Sequence, residues 1–574
     1  MPAAMIDPED LIVPLASAHG DLDVVHQLIK GQYGKRLLQL RKIIDRGIGA
    51  SPAAVDASRL PEWYALLVDV QRAAPEVLRS VLLDPDVAVW FESRGGDPGV
   101  VGLIAAAAAI RASLPATVVV PVEDGKLFVP GLGAVIVGDA SGDAVVHVTA
   151  DGVTVAAGDA EITLPHDLGR PADRWRPVRW LRAGEEAKLK VRFAVDGPLS
   201  DAFGTLFPAD SPTPYSEGDW QRALIDAWQV LETGHPVHAA SIAAGVRALV
   251  PVPPCGDGGS ASATLEAVFG AIALSLPTRP EGFAVALVHE LQHAKLAATL
   301  DLIQLYRADD EARYYAPWRP DPRPLGALLQ GVYAHLGVAQ FWGVQGRLAD
   351  AEDSMLPLVE FVRWRDDTWQ ACKELMGAPS LTAAGDVFVS KIFDELNRLR
   401  AEEVQPEARR IADLIGRDHK VSWRLCNFDV DQVAARRLAE AWLNDKNPFA
   451  FPAQCVRRRQ TPRTVPGKRI QLVYRYLNGN IEEAQEGSPG ADVLYARGNY
   501  RDALDAYERR VTENPADLDA WAGITLSTSA QNHTALDFLS ATPEVAAEVY
   551  RQAASISPAP KPPLRLAEWL NGAA

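Results

Sequence analysis

Cysteine is scarce in this sequence. Its 574 residues contain four cysteines, Cys255, Cys372, Cys426 and Cys455, and no Cys-x-x-Cys pair. Zinc knuckles need closely spaced cysteines, and disulfide frameworks need a dense set of them. The sequence therefore argues against both. A chain of this length can instead bury substantial apolar cores, which we expect to be divided among roughly two to four domains.

Long apolar runs and a secretory signal are also absent. The longest apolar run, near Val101 to Ala109, is shorter than the roughly 20 residues that a membrane-spanning helix needs. The segment from Met1 to Asp10 is acidic and lacks the basic, apolar and small-residue pattern of a signal peptide. We therefore expect a cytoplasmic protein with no membrane partner.

An excess of positive charge is missing as well. Lys and Arg number 57 against 74 Asp and Glu, which gives a formal net charge of −17. Nucleic acids and anionic membranes are bound through basic surfaces, so we expect neither as a partner. One local cluster, Arg457–Arg459 with Arg463, Lys468 and Arg469, is interpreted as a solvated loop.

The distribution of residue types predicts four regions. Residues 1–115 have helical apolar spacing, whereas 116–197 contain short β-branched runs separated by turns, as in an antiparallel sheet or small sandwich. Residues 198–480 are predicted to be a helical domain, and 485–574 a helical tail. The predicted class is α+β, a mostly helical multidomain chain with a β-rich segment near 116–197 and a tetratricopeptide-like carboxyl-terminal part.

The tail resembles the second helix of a tetratricopeptide unit followed by the start of another unit. Gly498 is expected in the turn between two helices, Ala503 and Tyr507 should pack inward, and Pro515 should end the helix. One unit cannot form a solenoid alone, so we expect it to dock on the rest of the chain. A structural helical cap is the favoured interpretation, and peptide binding is the alternative.

Histidine is rare too, with 11 in the whole chain, yet two stand in one short motif. The apolar run that starts at Phe283 ends in His289-Glu290-Leu291-Gln292-His293. Residues four apart project from one face of a helix, so His289 and His293 can bind one metal ion. Glu290 lies about 100° round the helix and can reach a metal-bound water or a substrate group. A metal site is favoured over two ordinary core histidines.

A single metal ion needs a third protein ligand, and three alternatives can be compared. The metzincin pattern requires Gly and His where this sequence has Leu296 and Thr299, so it fails. The gluzincin pattern requires a downstream carboxylate, which Asp309-Asp310-Glu311 supplies without the surrounding signature. His335 is the better candidate, because it lies in an apolar helical run beside small residues such as Gly331.

The segment between the two helical runs, Tyr314 to Pro324, is rich in proline and contains two arginines. Because prolines stiffen the chain, Arg319 and Arg323 could present fixed guanidinium groups to a carboxylate. Alternatively, both arginines pair with surface acids and His335 is an ordinary core residue. Taken together with the motif at 289–293, the three features favour a metal site.

Three blocks of the sequence together resemble a known family, the HExxH-motif peptide-modification proteins. The blocks are residues 289–296 (HELQHAKL), 315–325 (YAPWRPDPRPL) and 329–339 (LQGVYAHLGVA). Proteins of this family are described as α-ketoglutarate-dependent HExxH-type peptide β-hydroxylases, associated with ribosomally synthesised and post-translationally modified peptides. The likeness extends to Ser260–Ser262 and Lys35–Leu38, and it takes in the tail, so that it covers most of the chain.

The resemblance implies a non-haem Fe(II) dioxygenase that uses α-ketoglutarate and O2 to β-hydroxylate a residue of a ribosomally made precursor peptide. His289, His293 and His335 would be the iron ligands. The distal carboxylate of α-ketoglutarate would be held by Arg323 or, as second choice, Arg319. Lys295 is a poorer choice, because it points about 160° away from His293 on the helix. The resemblance does not indicate which residue is modified or an oligomeric state.

Two other functions remain open. A zinc metallopeptidase would use the same motif, with Glu290 as general base for a zinc-bound water. A non-catalytic peptide-binding or scaffold protein would use the tail and would tolerate His289→Ala. The expected cytoplasmic location, the missing metzincin and gluzincin completions and the two-arginine segment favour the hydroxylase. In that enzyme Glu290 would hydrogen-bond a ligand or water, or position the substrate.

Overall fold

The computed structural model describes residues 8–18, 22–48, 55–138, 142–207, 215–254, 260–308, 313–350, 354–451, 456–457, 468–477, 490–531, 537–558 and 560–572. These residues are mostly helical with several sheets, so the predicted α+β, mostly helical class is confirmed. The chain divides into two compact units, Met1–Leu305 and Tyr306–Ala574. The division falls inside the predicted region 198–480, which therefore contributes to both units. No described helix is long and apolar enough to cross a membrane.

The first unit begins with helices, as the apolar spacing predicted. They are α1 (Pro8–Ala16), α2 (Leu22–Ile48), α3 (Val55–Ala73), α4 (Pro75–Leu82), α5 (Pro85–Ser93) and α6 (Gly99–Ala112). Trp63 of α3, Trp90 of α5 and Ile104 of α6 are buried in one core. Because α6 consists mainly of Ala, Val, Leu and Ile, it is apolar all round and is buried along nearly its whole length.

Short strands follow, in the region predicted to be β-rich. They are β1 (Ala116–Val122), β2 (Lys126–Val129), β3 (Gly133–Ile136), β4 (Gly142–Thr149), β5 (Gly152–Ala157), β6 (Ala160–Thr163) and β7 (Trp175–Pro177). They form two antiparallel sheets, in the orders β1-β4-β5-β6 and β2-β3-β7. Val146 and Val148 of β4 face the core while His147 between them does not, which is the alternation of a half-buried strand.

A third sheet extends the β structure past residue 197, into a range predicted to be helical. Its strands are β8 (Arg179–Ala183), β9 (Leu189–Phe193), β10 (Ala248–Pro251), β11 (Ser262–Thr264) and β12 (Ala271–Leu274), in the order β11-β12-β10-β9-β8. β9, β10 and β12 are parallel, and both edge strands are antiparallel to their neighbours. Sequence reasoning missed β10 and β12, because a short buried run such as Ala271–Leu274 has no alternation that distinguishes a strand from a helix. It also missed β11, which is only three residues long.

Four helices complete the elements described for the first unit. They are α7 (Pro198–Gly204), α8 (Glu217–Gly234), α9 (Pro236–Gly245) and α10 (Pro280–Leu300). Ser216 and Asp219 form a capping box that starts α8, each side chain bonding the other residue's backbone N–H. Trp220 of α8 then meets Phe283 of α10 edge to face, with ring centroids 6.0 Å apart. This contact packs the motif helix α10 against α8.

The second unit is helical apart from one small sheet in its described part. Its helices are α11 (Leu325–Leu348), α12 (Met355–Leu375), α13 (Ala383–Arg400), α14 (Pro406–Asn427), α15 (Gln432–Leu443), α16 (Lys468–Leu477), α17 (Ala491–Ala496), α18 (Tyr500–Glu513), α19 (Leu518–Ala530), α20 (Asp537–Ala541), α21 (Pro543–Ile556) and α22 (Pro563–Asn571). The strands β13 (Phe428–Asp429) and β14 (Val456–Arg457) pair antiparallel. Trp442, Trp521 and Tyr550 share the core of its carboxyl-terminal part.

Residues of the tail lie locally where the sequence predicted them. Gly498 has a φ of 80° in the turn between α17 and α18, a conformation that favours glycine. Ala503 and Tyr507 are buried, and Pro515 follows the end of α18. The Tyr507 ring fills the space where a side chain at Gly523 would stand, which joins α18 closely to α19.

Arg469 of α16 is buried, and its interpretation as part of a solvated loop was wrong. Its guanidinium lies 3.0 Å from Asp418 and 2.8 Å from Asp519. A buried cation is stable only where carboxylates compensate its lost hydration, and the sequence spacing of these acids gives no hint of that. Lys468 is exposed at the start of α16 and Arg457 belongs to β14, whereas Arg458, Arg459 and Arg463 lie outside the described residues.

Candidate functional site

The HExxH motif lies on α10, as its apolar lead-in predicted. Pro280 occupies the first turn, where its missing N–H leaves no hydrogen bond unmade, and the following residues are mainly Ala, Leu and Val. Phe283, Leu287 and Leu291 are buried on the face that packs inward. His289 and His293 lie on the opposite, half-buried face of the same helix. The backbone of the motif is therefore held in place by packing, while its two imidazoles are accessible to a ligand.

The two motif histidines converge on one point. Their Nε2 atoms are 3.1 Å apart, and the rings stand edge to face at 82° with centroids 4.7 Å apart. The His289 side chain is 22% exposed, so a ligand can reach it. The expected projection of both rings from one helix face is thus observed.

This spacing fits two ligands of one metal ion. Two nitrogen ligands bound at about 2.1 Å and at right angles are roughly 3.0 Å apart, and at a tetrahedral angle roughly 3.4 Å. The observed 3.1 Å lies between these values. Imidazole nitrogen suits iron and zinc alike, so the pair can hold either ion through Nε2 without moving.

Glu290 points away from solvent and is fixed by the neighbouring sheet. Its side chain is 3% exposed, and its Oε1 accepts a 2.7 Å hydrogen bond from the Ser262 hydroxyl of β11. Burial raises the pKa of Glu290 to about 7, although the hydroxyls of Ser262 and Thr264 oppose that shift. Oε1 lies 4.0 Å from Nε2 of His289. The carboxyl group therefore stands beside the histidine pair at fixed distance.

The carboxyl-terminal end of α10 is held by α2. Asp301, just past the helix, accepts 2.8 Å hydrogen bonds from Gln32 and Lys35. Arg36 is buried and donates a 2.5 Å hydrogen bond to the carbonyl of Ala267, in the connection between β11 and β12. The Lys35–Arg36 pair, quoted above only for its resemblance, thus supports the elements that carry His289 and Glu290.

His335 lies in the second unit, in the middle of α11, and its ring is clamped from three sides. Trp318 and Trp364 stack on its two faces, with ring centroids 4.2 and 4.5 Å away. Its Nδ1 is 2.8 Å from the carbonyl oxygen of Gly331, which can only accept. Nδ1 therefore carries the proton, and Nε2 has the lone pair that a metal ion needs.

Gly331 is required by this clamp. A side chain at position 331 would come within 2.4 Å of the Trp318 indole, so only glycine lets that ring lie on His335. The small residue that the sequence singled out beside His335 therefore makes room for an aromatic ring.

Arg319 and Arg323 converge on one aspartate. Arg319 Nε lies 3.0 Å from Asp321 Oδ1, and Arg323 Nη1 lies 2.9 Å from Oδ2. Burial alone would raise the pKa of Asp321, but the two guanidiniums outweigh it and hold the pKa below its ordinary value. The two arginines thus hold one carboxylate together, and it is the protein's own, which is the pairing with acids that the sequence left open as the alternative.

The arginine segment is anchored on α14. The Tyr315 hydroxyl is 3.0 Å from Nδ1 of His419, and the Tyr315 ring packs edge to face on Trp423. Asn427 donates a 2.9 Å hydrogen bond to the carbonyl of Pro320. Burial, with the nearby Arg363, lowers the pKa of His419 to about 4, so this anchor is neutral at neutral pH.

The predicted residues fall into two sets, each described within its own unit. His289, Glu290 and His293 belong to the first unit, and His335, Arg319 and Arg323 to the second. In the described ranges, no group of three or more His, Cys, Asp or Glu side chains is placed to hold a metal ion. The three-histidine ligand set therefore stays a prediction. The gluzincin alternative, Asp309-Asp310-Glu311, lies outside the described residues.

Sequence reasoning missed four residues that shape these sets. Ser262 and Asp321 lie within blocks already noted for the resemblance, so their types were visible but their contacts were not. Trp364 and His419 are remote in sequence from the residues they hold, and neither belongs to a pattern.

Comparisons with known proteins do not identify a family for this chain. The sequence matches no protein-family model and no curated protein.

Proposed function

We propose that this chain is a non-haem Fe(II)/α-ketoglutarate-dependent dioxygenase that β-hydroxylates a residue of a ribosomally made precursor peptide in the cytoplasm. The observation that carries the proposal is the His289–His293 pair, whose Nε2 atoms are 3.1 Å apart on a half-buried helix face. The resemblance of residues 289–296, 315–325 and 329–339 to the HExxH-motif peptide-modification proteins supplies the reaction type.

His335 would be the third iron ligand. Its support is the orientation of its ring, since the Gly331 carbonyl holds Nδ1 and leaves the Nε2 lone pair as the donor. Metal-binding histidines commonly donate their second N–H in this way, which fixes the tautomer and strengthens the ligand. Stacking between Trp318 and Trp364 would keep the ring from rotating.

Arg323 and Arg319 would bind the distal carboxylate of α-ketoglutarate. Their pairing with Asp321 supports this, because it shows both guanidiniums directed at one carboxylate position. Two arginines carry more positive charge than one aspartate neutralises, so a second carboxylate can be attracted there. Arg323 is the first choice because it is the less exposed of the two, 32% against 49%.

Iron would supply the redox chemistry that couples O2 to loss of CO2 from α-ketoglutarate. In sum, a peptide C–H group, O2 and α-ketoglutarate become a peptide C–OH group, CO2 and succinate. The chain's own contribution would be positional: His289, His293 and His335 would hold the ion, and the arginines would orient the cosubstrate. Glu290, fixed by Ser262, would position the substrate or a water.

We also assign a tetratricopeptide-like character to α17, α18 and α19. The left-handed turn at Gly498 and the fit of Tyr507 against Gly523 support it. Tyr507 also donates a 2.6 Å hydrogen bond to Asp492, and Asp492 lies 3.3 Å from the buried Arg469 of α16. Since the unit is tied inward in this way, we favour a structural cap over a peptide-binding surface.

A zinc metallopeptidase is the second candidate, and one observation favours it. The Glu290 carboxylate lies 4.0 Å from Nε2 of His289, within reach of a water bound to a metal ion at the histidine pair. The bond from Ser262 holds that carboxylate in place. The two candidates share their histidines and differ in what they require of Glu290.

One experiment separates the two. The full chain is loaded anaerobically with Fe(II), then given α-ketoglutarate, O2 and a candidate precursor peptide, and succinate and peptide mass are followed. We expect succinate and a peptide heavier by one oxygen atom. A parallel sample carries zinc, and peptide cleavage there without succinate in the iron sample would overturn the hydroxylase.

The variant Glu290→Gln sharpens this test, because glutamine keeps the shape and the bond from Ser262. A peptidase would lose its general base and with it nearly all cleavage. A hydroxylase that needs Glu290 only for positioning would keep measurable succinate formation. Metal content of the variant, measured after reconstitution, shows that any loss is not a loss of the ion.

A further inference from the structure

A second feature of the first unit is unexplained by the proposed function. β8 and β9 place Trp180, Arg182, Lys190 and Arg192 on one face of their sheet, since Trp180 pairs with Arg192 and Arg182 with Lys190. Both pairs are of the type not joined by backbone hydrogen bonds. Arg182 exchanges its backbone bonds with the Gln221 amide, and the Arg192 N–H donates to Arg247. At such pairs the opposing side chains lie closest together.

The Arg182–Lys190 pair is unfavourable for the fold by itself. Like charges directly opposite each other in a sheet destabilise it. Both side chains are exposed, and neither forms an ion pair within the described part of the chain. The Lys190 ammonium lies over the Trp180 ring at 4.3 Å, which directs it along the face. Such an arrangement is expected where an anionic ligand supplies the missing counter-charge.

This face forms a wall of a cavity of about 580 Å³. Among the described residues that line it, five side chains are cationic and three are acidic, in a protein of net charge −17. Two of the acids already have partners, because Asp86 pairs with Arg192 at 2.5 Å and Glu217 lies 3.7 Å from Arg179. The cavity is therefore locally basic on an acidic molecule.

Two of the cations that line the cavity are held by partners within the protein. Arg192 is buried and held by Asp86, whose other oxygen accepts a hydrogen bond from the backbone N–H of Leu199. Arg176 on β7 donates a 2.8 Å hydrogen bond to the carbonyl of Ala172. These bonds hold two of the cations in place without any added ligand. The side chains of Arg182 and Lys190, by contrast, are exposed and can bind a carboxylate.

We propose that this cavity binds an acidic segment of a peptide, with Asp or Glu side chains against Arg182 and Lys190. Its size lies within the range of about 300–1,000 Å³ usual for ligand sites. Phe128, Val129 and Trp180 give it apolar walls that suit aliphatic and aromatic side chains between the acids. A peptide is favoured over a nucleic acid because a short acidic segment carries far fewer negative charges than a polynucleotide, which a molecule of net charge −17 repels more strongly.

The site does not depend on the reaction at the histidine pair. If the proposed function is correct, the acidic segment belongs to the precursor peptide. Binding needs neither metal nor turnover, so the inference can fail while the hydroxylase stands, and the reverse.

The test measures binding of a fluorescent peptide that alternates Glu with Leu and Phe to the full chain by anisotropy, without metal. Its matched probe replaces every Glu with Gln. We expect the Glu peptide to bind at least about tenfold more tightly, a difference of about 1.4 kcal/mol, and to be released by high salt. Equal binding of both probes would overturn the proposal.

Variants locate the site. Arg182→Gln with Lys190→Gln should weaken binding of the Glu peptide about tenfold or more. Arg41→Gln with Arg72→Gln makes the same change in net charge on exposed helices of the same unit, and should leave binding unchanged. Equal effects of the two double variants would show long-range attraction only and would contradict a site. Tighter binding of an oligonucleotide than of the Glu peptide would contradict the choice of ligand.

A second test measures thermal stability beside binding. Arg182→Glu places opposite charges across the β8–β9 pair, so Tm should rise slightly while the Glu peptide is no longer bound. A lower Tm in this variant would mean that Arg182 serves the fold, and the proposed role of the like-charge pair would be lost.

Discussion

The histidine pair on α10 and the single histidine on α11 are held in different ways. His289 and His293 owe their geometry to one helix, whose turn places two rings side by side, and both remain partly exposed. His335 is buried, and its orientation depends on Trp318 and Trp364, which reach it from outside its own helix. The first arrangement is local, whereas the second is built by tertiary packing.

This difference separates chemistry from stability. Partly exposed rings at i and i+4 have less packing to lose than a fully buried ring, so their replacement should remove a function and leave the fold. A ring stacked on both faces contributes to the core, so changes around it should be felt in the free energy of unfolding. The predictions below use this contrast, from the largest expected effect to the smallest.

Replacing His289 should remove the chemistry of the local arrangement. His289→Ala leaves a single motif histidine, and we expect metal content to fall sharply and turnover to fall about 1,000-fold or more, or about 4 kcal/mol in the barrier. Tm should change little, because the ring is partly exposed. Metal analysis, succinate formation and thermal unfolding of the same sample measure all three.

The control is His147→Ala on β4, where the imidazole bonds Thr117 in a different part of the same unit. It should keep both metal and turnover. A His289→Ala protein that retained full metal content would show that the pair is not a ligand site, and would favour the scaffold function.

The second region should be sensitive to acid through His419. Its pKa is about 4 in the folded protein against 6.5 ordinarily. Between these pH values His419 is protonated in the unfolded chain but not in the folded chain, so stability is lost as pH falls from 6.5 to 4. The loss should reach about 3 kcal/mol. Urea unfolding of the wild type and of His419→Gln at several pH values measures it, and the variant should lack this loss.

Asp84 of the first unit should contribute a pH dependence of stability with the opposite sign. Burial, then the nearby Asp86, raise its pKa to about 6 from 3.8, although Arg192 opposes the shift. The folded chain therefore binds the proton more tightly, and stability should rise as pH falls from 6 to about 4. Asp84→Asn should abolish that rise.

The His419 prediction fails if His419→Gln and the wild type lose stability identically as pH falls. That result would mean that His419 is accessible to protons and does not anchor Tyr315.

The same contrast explains how much the sequence could predict. Helix α10, its two converging rings and the strands β1 to β5 follow from periodicity within a few residues. The clamp on His335 does not, because Trp364 lies 29 positions away from His335 and its stacking is decided by how α11 and α12 pack. Asp321 was read only as part of a stiff segment, although it pairs with both arginines. Strands β10 and β12 were missed because buried runs of four residues carry no period, and β11 because three residues are too few to show one.

Gly331→Ala tests the clamp directly. The added methyl group would meet the Trp318 indole at 2.4 Å, so the ring must shift off His335. We expect a loss of about 1–3 kcal/mol in the free energy of unfolding, which is usual for overpacking. Gly34→Ala in α2 is the matched control, since nothing lies within 4 Å of its added carbon. It should stabilise the chain by up to about 1 kcal/mol, because alanine favours helices. If Gly331→Ala also stabilised the chain, position 331 would tolerate a side chain and Trp318 would be free to move.

The smallest effect should distinguish the two arginines. Arg323→Gln removes the less exposed partner of Asp321 and should raise the KM for α-ketoglutarate about tenfold, equal to about 1.4 kcal/mol, with kcat nearly unchanged. Arg319→Gln, at the more exposed position, should raise it about threefold or less. Tm should move little in both, since partly exposed ion pairs contribute weakly to stability.

Arg323→Lys keeps the charge but not the planar fork, so it should restore only part of the affinity. Steady-state succinate formation at varied α-ketoglutarate measures all three variants. Unchanged KM values in both glutamine variants would leave Asp321 as the sole partner of the two arginines and would place the cosubstrate elsewhere.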